Sequence, residues 1–269
     1  MELLIFQLQG ELAAWGEPAV GENRGTQGHP SQSALVGLLC AALGLQRDDP
    51  AVLRVAQGYA FAVGIQRSGR LLRDFHTAQV PPRTALKGHP HRSRRDELAV
   101  PELGTILSRR DYRQQVAYVV AVQALDGAPQ PLSALVGVLQ QPRFVLYLGR
   151  KSCPPSAPLA PELVQADTVR GALDAYLRAI TERIAATQDR WGRTGLPLPA
   201  PIDTLAWDDA MSLHMGAEPD LSVARKDRVL RRRGWQFADR MEHLHKLPLA
   251  APEETEIAEG DDVLQPDPS

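Results

Sequence analysis

Apolar and polar positions alternate or recur at helical spacing along most of this chain, and the changes of period mark its elements. Glu2 to Gln9 is an apolar run rich in β-branched and aromatic residues, which predicts a buried strand. A long loop follows from Gly10 to Gly28. Ser31 or Ser33 can cap a helix running to Leu43, with Gly44 as its stop. Asp48, Asp49 and Pro50 open a second short helix. Tyr59, Phe61, Val63 and Ile65 then alternate with Ala60, Ala62 and Gly64, a strand with one bulky and one smooth face. A turn at Ser68-Gly69 leads into a strand over Leu71 to Thr77. Residues 78–111 lose the apolar period and read as a protruding arm. Val116, Tyr118, Val120 and Val122 restore alternation. Pro131 opens a helix through Leu139, and Phe144 to Leu148 reads as a final strand.

The order strand, helix, strand, strand, arm, strand, helix, strand predicts an α+β fold close to the ferredoxin-like β-α-β-β-α-β pattern, a sheet that many RNA-binding modules use. This unit takes residues 1–160, with the arm at about 78–111. A smaller C-terminal region of helix and strand takes 161–250. There Asp167 can cap a helix whose stripe is Val169, Leu173, Tyr176, Leu177, Ile180 and Ile184. Residues 251–269 carry seven acids and no base, which predicts a disordered tail.

Those seven acids hide a basic body: without them the net charge of −2 becomes +5. Of the 30 basic residues 26 are arginines, which fork phosphates and stack on bases. A GC-rich genome gives the same bias. Arg67 to Arg113 holds eleven bases against five acids, among them Arg83, Lys87, Arg92, Arg94, Arg95 and Arg109. Such a surplus neutralises phosphates, or stays a solvated loop. If it meets RNA or a neighbouring subunit, the arm is expected to gain its order there. Arg225 to Arg233 is a second basic stretch, either a surface for RNA or a partner, or an ordinary wet face.

Candidate chemistry is sparse. Tyr147-Leu148-Gly149-Arg150-Lys151 leaves a strand for a loop. Its glycine admits close main-chain approach by a base or phosphate, with two bases at hand. No GxxxxGK[ST] is present, so nucleotide triphosphates are not indicated. Gly58-Tyr59-Ala60-Phe61 is part of an RNP1 pattern, but Tyr59 and Phe61 read better as core. Cys40 and Cys153 read as free, partly buried thiols, with no metal spacing. His76, Tyr112 and Lys87 are the residues that metal-independent RNA cleavage would need, though nothing in the spacing forces them together. No signal peptide or membrane span is evident, so a cytoplasmic location is expected.

Several blocks carry a family resemblance: Ala14-Trp15-Gly16, Pro30 to Leu39, Ala42-Leu43-Gly44, Arg73 to Thr77, Arg110-Asp111-Tyr112 and Tyr147 to Pro155. Together they resemble the CasD family, the E-subtype branch of the fifth Cas family, over roughly residues 1–160, and the basic end Arg228 to Arg240 is again similar. The resemblance implies an RRM-like fold of the RAMP superfamily whose thumb is the arm. It implies a non-catalytic subunit of the type I-E CRISPR Cascade complex that caps the 5′ end and handle of the CRISPR RNA. The implied partners are that RNA, the CasC backbone and the CasA large subunit, with target DNA met only through the assembled complex; no cofactor, metal or membrane is implied. Arg24, Arg110, Tyr147, Leu148, Gly149, Arg150 and Lys151 match the handle-binding stretches of the family. The alternative is a metal-independent endoribonuclease acting on CRISPR repeat RNA, the activity of a sister subtype.

Overall fold

A computed structural model of the chain describes residues 1–17, 19, 21–85, 92–191, 198–231, 234 and 236–248. The acidic tail, Lys87, Arg232 and Arg233 lie outside these residues. Strand β1 (Glu2–Ala13) is followed by the two-residue β2 (Asn23–Arg24), helices α1 (Gln32–Leu43) and α2 (Ala51–Gly58), and strands β3 (Tyr59–Arg67) and β4 (Arg70–Val80). Then come α3 (Arg94–Leu98), the 21-residue β5 (Gly104–Ala124), α4 (Leu132–Gln140), β6 (Glu162–Gln165) and α5 (Val169–Trp191). Strands β7 (Thr204–Asp208), β8 (Leu221–Arg231) and β9 (Gln236–Lys246) close the described chain.

The sheet runs β6-β1-β5-β3-β7-β9-β8. Its first four strands have the spatial order of a ferredoxin-like unit, and β7, β9 and β8 continue the same sheet past β3. The alternation along each central strand explains why both faces are covered. Tyr59, Phe61, Val63 and Ile65 of β3 join Phe6, Leu8, Tyr118 and Val120 under α1, α2 and α4. The small residues Ala60 and Ala62 turn the other way, with Leu3, Ile5, Val119 and Ala121, and α5 seats Leu173, Tyr176 and Ile180 on them. Tyr59 and Phe61 are therefore core, at 1% and 3% exposure. The sheet face that an RRM offers to RNA is covered here by α5, so a nucleic-acid site must lie elsewhere.

Helix α1 begins and ends as the sequence expects. The Ser31 hydroxyl accepts from the Ala34 N–H, and Gly44 closes the helix in the left-handed conformation. In α5 it is the Thr168 hydroxyl, one residue after Asp167, that accepts from the first turn, at Gly171 N–H. Other expectations are corrected. The Phe144–Leu148 segment is not a strand; Leu146 and Leu148 are buried while Phe144 and Val145 face solvent. The fourth ferredoxin-like strand is β6, so that unit extends past residue 160. Ser68-Gly69 does not reverse the chain: β3 and β4 both pair antiparallel with β5 and run along the same edge, joined by a bulge. At that bulge Gly69 has φ +74, and a Cβ would lie 2.3 Å from the Gln114 carbonyl oxygen, so only glycine fits.

The arm is therefore the outer half of one long hairpin. Its stem is regular pairing from Arg70↔Gln114 to Val80↔Gly104. The stem pairs its backbone groups within the chain, as a regular antiparallel ladder. Its period was hidden because neither face is buried: Leu71, Phe75 and Ile106 are all more than half exposed.

Candidate nucleic-acid interface

Three distant segments meet at the base of the arm. After β1 the chain loops out and returns as β2, which pairs in parallel with β5, Asn23 opposite Arg109 and Arg24 opposite Arg110. The Glu22 carbonyl accepts from Arg109 N–H at 2.9 Å, extending this pairing. Arg24 and Arg110 thus stand on neighbouring strands, roughly 5 Å apart at their backbones. The third segment is the loop after α4. Its Arg150 donates to the Arg24 carbonyl at 3.2 Å and the Asp111 carbonyl at 3.3 Å, and its guanidinium lies 4.7 Å above the Tyr112 ring. A guanidinium over an aromatic face is attracted by the ring's quadrupole, which fixes its plane.

A cleft of about 310 Å³ opens between these segments, lined by Arg24, Arg47, Arg150, Tyr147, Ser33 and the Gly149 main chain, among others. Arg24 also borders a second concavity, with Glu22, Ile106 and Arg110, along the base of the arm. On the far side of Tyr147 lies an apolar groove of about 710 Å³ that includes Phe144, Val145 and Lys151. Basic groups beside an exposed aromatic suit a single-stranded nucleic acid, whose phosphates need charge and whose unpaired bases need a stacking face.

The residues singled out in the sequence divide by role. Arg24, Arg110, Tyr147, Arg150 and the Gly149 main chain border the clefts at the arm's base, and Lys151 is exposed beside the apolar groove. Leu148 does not face the cleft: its side chain is fully buried, and its carbonyl accepts from Ala14 N–H while its N–H donates to Cys153. Gly149 is required by the protein itself. It has φ +87, and a Cβ would fall 1.9 Å from the Ala14 carbonyl oxygen. The close approach expected of RNA at that position is made by β1's own exit.

On the arm, Arg83, Arg92, Arg94, Arg95 and Arg109 are exposed. Arg94 is held by Glu97 at 2.6 Å and also donates to the Gln79 carbonyl. Arg73 forks Asp111 at 2.8 and 3.1 Å, and this hydrogen bonding holds the Asp111 carboxyl below its usual range. The second basic stretch splits by face. Lys226 and Arg228 point outward, whereas Arg225 and Asp227 turn inward, where they join Arg240 and Glu242 in a buried ionic cluster. The inward half is not a surface for RNA.

Sequence reasoning weighed Tyr112 only for catalysis and missed Arg47. Tyr112 carries Arg150 on its ring; its strand position beside Arg110 was the available signal. Arg47 follows the α1 stop with no local pattern to mark it. Of the three cleavage candidates Lys87 lies outside the described residues, and His76 and Tyr112 do not meet. His76 pairs across to Ser108 and Tyr112 to Leu72, so roughly 13 Å of strand separates the His and Tyr rows. Among the described residues no group of His, Cys, Asp and Glu is placed to hold a metal ion, and no helix is long and apolar enough to cross a membrane. Cys40 and Cys153 are both buried and form no disulfide, and burial pushes the Cys153 thiol up.

The family model described as CRISPR-associated protein (Cas_Cas5) matches residues 3–240. The CRISPR system Cascade subunit CasD of Escherichia coli (strain K12) is 34% identical over 182 residues, 64% of this chain and 76% of that one. A chain from a CRISPR RNA-guided surveillance complex shares the fold at a TM-score of 0.59, 22% identical, covering 91% of this chain and 89% of its own. A crystal structure of a Cas protein gives 0.57 at 25% identity, covering 91% and 95%. With a family model spanning most of its length and a curated relative matched over three-quarters of its own, the chain belongs to the CRISPR-associated Cas5 family.

Proposed function

We propose that this chain is an RNA-binding structural subunit of a type I-E CRISPR surveillance complex, holding the 5′ end and handle of the CRISPR RNA. The observation that carries this reading is the convergence of Arg24, Arg110 and Arg150 from three segments at the base of the arm, where Arg24 borders both the cleft of Arg150 and Tyr147 and the concavity of Arg110. Arg110 and Arg24 supply charge and flat guanidinium faces to phosphates and unpaired bases. Tyr147, 36% exposed, supplies an aromatic face. The arm, with Arg83, Arg92, Arg95 and Arg109 exposed, extends the charged surface towards the rest of the RNA or a neighbouring subunit, in this reading the CasC backbone; CasA is the second protein partner. Sequence reading of target DNA is left to base pairing by the RNA, so this chain meets DNA only within the assembly.

In this reading the chain performs no chemistry on the RNA. Incubating the purified protein with labelled repeat RNA in EDTA tests that: intact RNA is expected, and discrete cleavage products would establish metal-independent endoribonuclease activity instead.

A further inference from the structure

Arg24 owes its place to a loop whose two ends reach the same buried side chain. The loop is residues 17–29, with β2 at its tip. At its start, Glu17 Oε1 lies 3.7 Å from Arg225 Nη2; at its end, His29 Nε2 lies 2.8 Å from Arg225 Nη1 and 3.1 Å from Oε2 of Glu242, the carboxylate that holds Arg225. Arg225 comes from β8, 196 residues after His29. It is only 8% exposed. It is anchored in turn by Glu242, both of whose carboxylate oxygens accept from Nη1, at 2.9 and 3.0 Å. Glu242 also accepts from Arg240 at 2.8 Å, and Arg240 forks Asp227 at 2.6 and 2.9 Å and meets Asp208 at 2.7 Å. The two aspartates end the chain on the core: Asp227 accepts from the Gln32 N–H that opens α1, and Asp208 from the Phe61 N–H of β3.

Stability alone does not account for this cluster. Arg225 and Arg240 are cross-strand partners, an arrangement of like charges that normally destabilises a sheet. Each buried ion also costs desolvation that a well-packed apolar side chain would avoid. What charged groups supply here is directional attachment of a polar loop. The loop's other ties are of two kinds: Trp15 N–H to the Thr26 hydroxyl and Gln27 N–H to the Trp15 carbonyl close its neck, while the Tyr118 hydroxyl to the Gly28 carbonyl and the pairing of β2 with β5 hold it to the central sheet. Arg225 fixes the neck against the C-terminal sheet.

We propose that Arg225, held by Glu242, is a positioning residue of the RNA cleft: by gripping both ends of the 17–29 loop it sets Arg24 beside Arg110 and Arg150 without touching RNA. This inference rests on the reading of that cleft as the RNA site.

The test uses the assembled complex carrying Arg225→Met, Arg225→Lys or, from the loop side, Glu17→Gln with His29→Gln, which keeps every arginine and carboxylate of the buried cluster in place although His29 also touches Glu242. Three quantities are read: affinity for handle RNA, the salt dependence of that affinity, and amide exchange. Arg225→Met and the loop-side double variant should each weaken handle binding about tenfold, as when a contact group is misplaced rather than removed. Exchange should rise at residues 21–29 and not across β3, β5 and β7. The salt slope should stay that of the parent, since no phosphate contact is lost, and Arg225→Lys should recover part of the affinity. A slope reduced by about one would make Arg225 a direct phosphate ligand. Exchange rising throughout the sheet would make it structural only. Unchanged affinity and unchanged loop exchange would leave it no role at the cleft. Each of these overturns the proposal. Arg24→Ala is the control: if that variant binds handle RNA like the parent, it is the cleft reading that has failed, whatever the loop does.

Discussion

Replacing Gly149 with alanine puts a Cβ 1.9 Å from the Ala14 carbonyl oxygen and 2.7 Å from its carbon, on a backbone at φ +87. Both neighbours are main chain, and Ala14 is itself tied to Leu148 by a 3.0 Å hydrogen bond, so neither can step aside cheaply. The left-handed backbone costs an L-residue roughly 1–2 kcal/mol. Forcing extra bulk into a packed site adds about 1–3 kcal/mol. The sum, about 2–5 kcal/mol, corresponds to a fall in Tm of about 5–15 °C for a chain of this size. Thermal and denaturant unfolding measure it, together with handle-RNA affinity at a temperature where parent and variant are both folded. Stability should fall first, with affinity falling only as far as the loop carrying Arg150 shifts. A variant with the parent's Tm that no longer binds RNA would refute the argument, because the glycine would then be serving the RNA's approach and not the chain's.

Arg110→Ala should cost roughly 1–3 kcal/mol of handle binding, the usual range for a lost stacking contact, with little change in Tm; unchanged affinity in the assembled complex would remove Arg110 from the site. Replacing residues 81–103 with a short Gly-Ser turn should leave the stem and core folded by circular dichroism while weakening RNA capping, and a globally unfolded product would contradict the reading of the arm as an appendage. Burial raises Asp208 to about 6, offset in part by Arg240 and reinforced by Asp227 and Glu242. The native state therefore binds a proton between about pH 6 and 4 that the unfolded chain releases; the stability this group contributes is present at acid pH and lost as pH rises through about 6. Asp208→Asn should flatten the Tm profile between pH 5 and 7.5, and an unaltered slope would mean that Asp208 does not titrate there.

What the sequence disclosed follows burial. Helix α1 was legible, its stop to the residue and its start to either of two serines, because Ser31 and Gly44 solve local problems of a helix end. The two-faced β3 was legible because its large and small residues report two different cores. The stem of the arm was not, since strands exposed on both faces have no apolar period and are held by backbone pairing. Phe144 to Leu148 misled because two buried leucines two residues apart imitate a strand, although they only pin a loop to β1. The four-residue β6 is too short to show a pattern.

The site was half legible. Resemblance pointed to Arg24, Arg110 and 147–151, but only the fold reveals that Arg150 bridges the other two segments and that Leu148 and Gly149 serve packing. The buried ionic cluster looked like a basic surface. Its signal was opposite charges at alternate positions, Arg225 with Asp227 and Arg240 with Glu242, which is the spacing of one strand face.

The central claim, that this cleft holds the 5′ end of a CRISPR RNA, is tested most directly by photo-crosslinking. A benzophenone side chain replaces Tyr147 in the assembled complex, the RNA is labelled, and the crosslinked nucleotide is mapped. The account predicts crosslinks confined to the 5′ handle and abolished by Arg24→Ala with Arg110→Ala. Crosslinks to the spacer or 3′ end, or none in a complex that still retains its RNA, would contradict it.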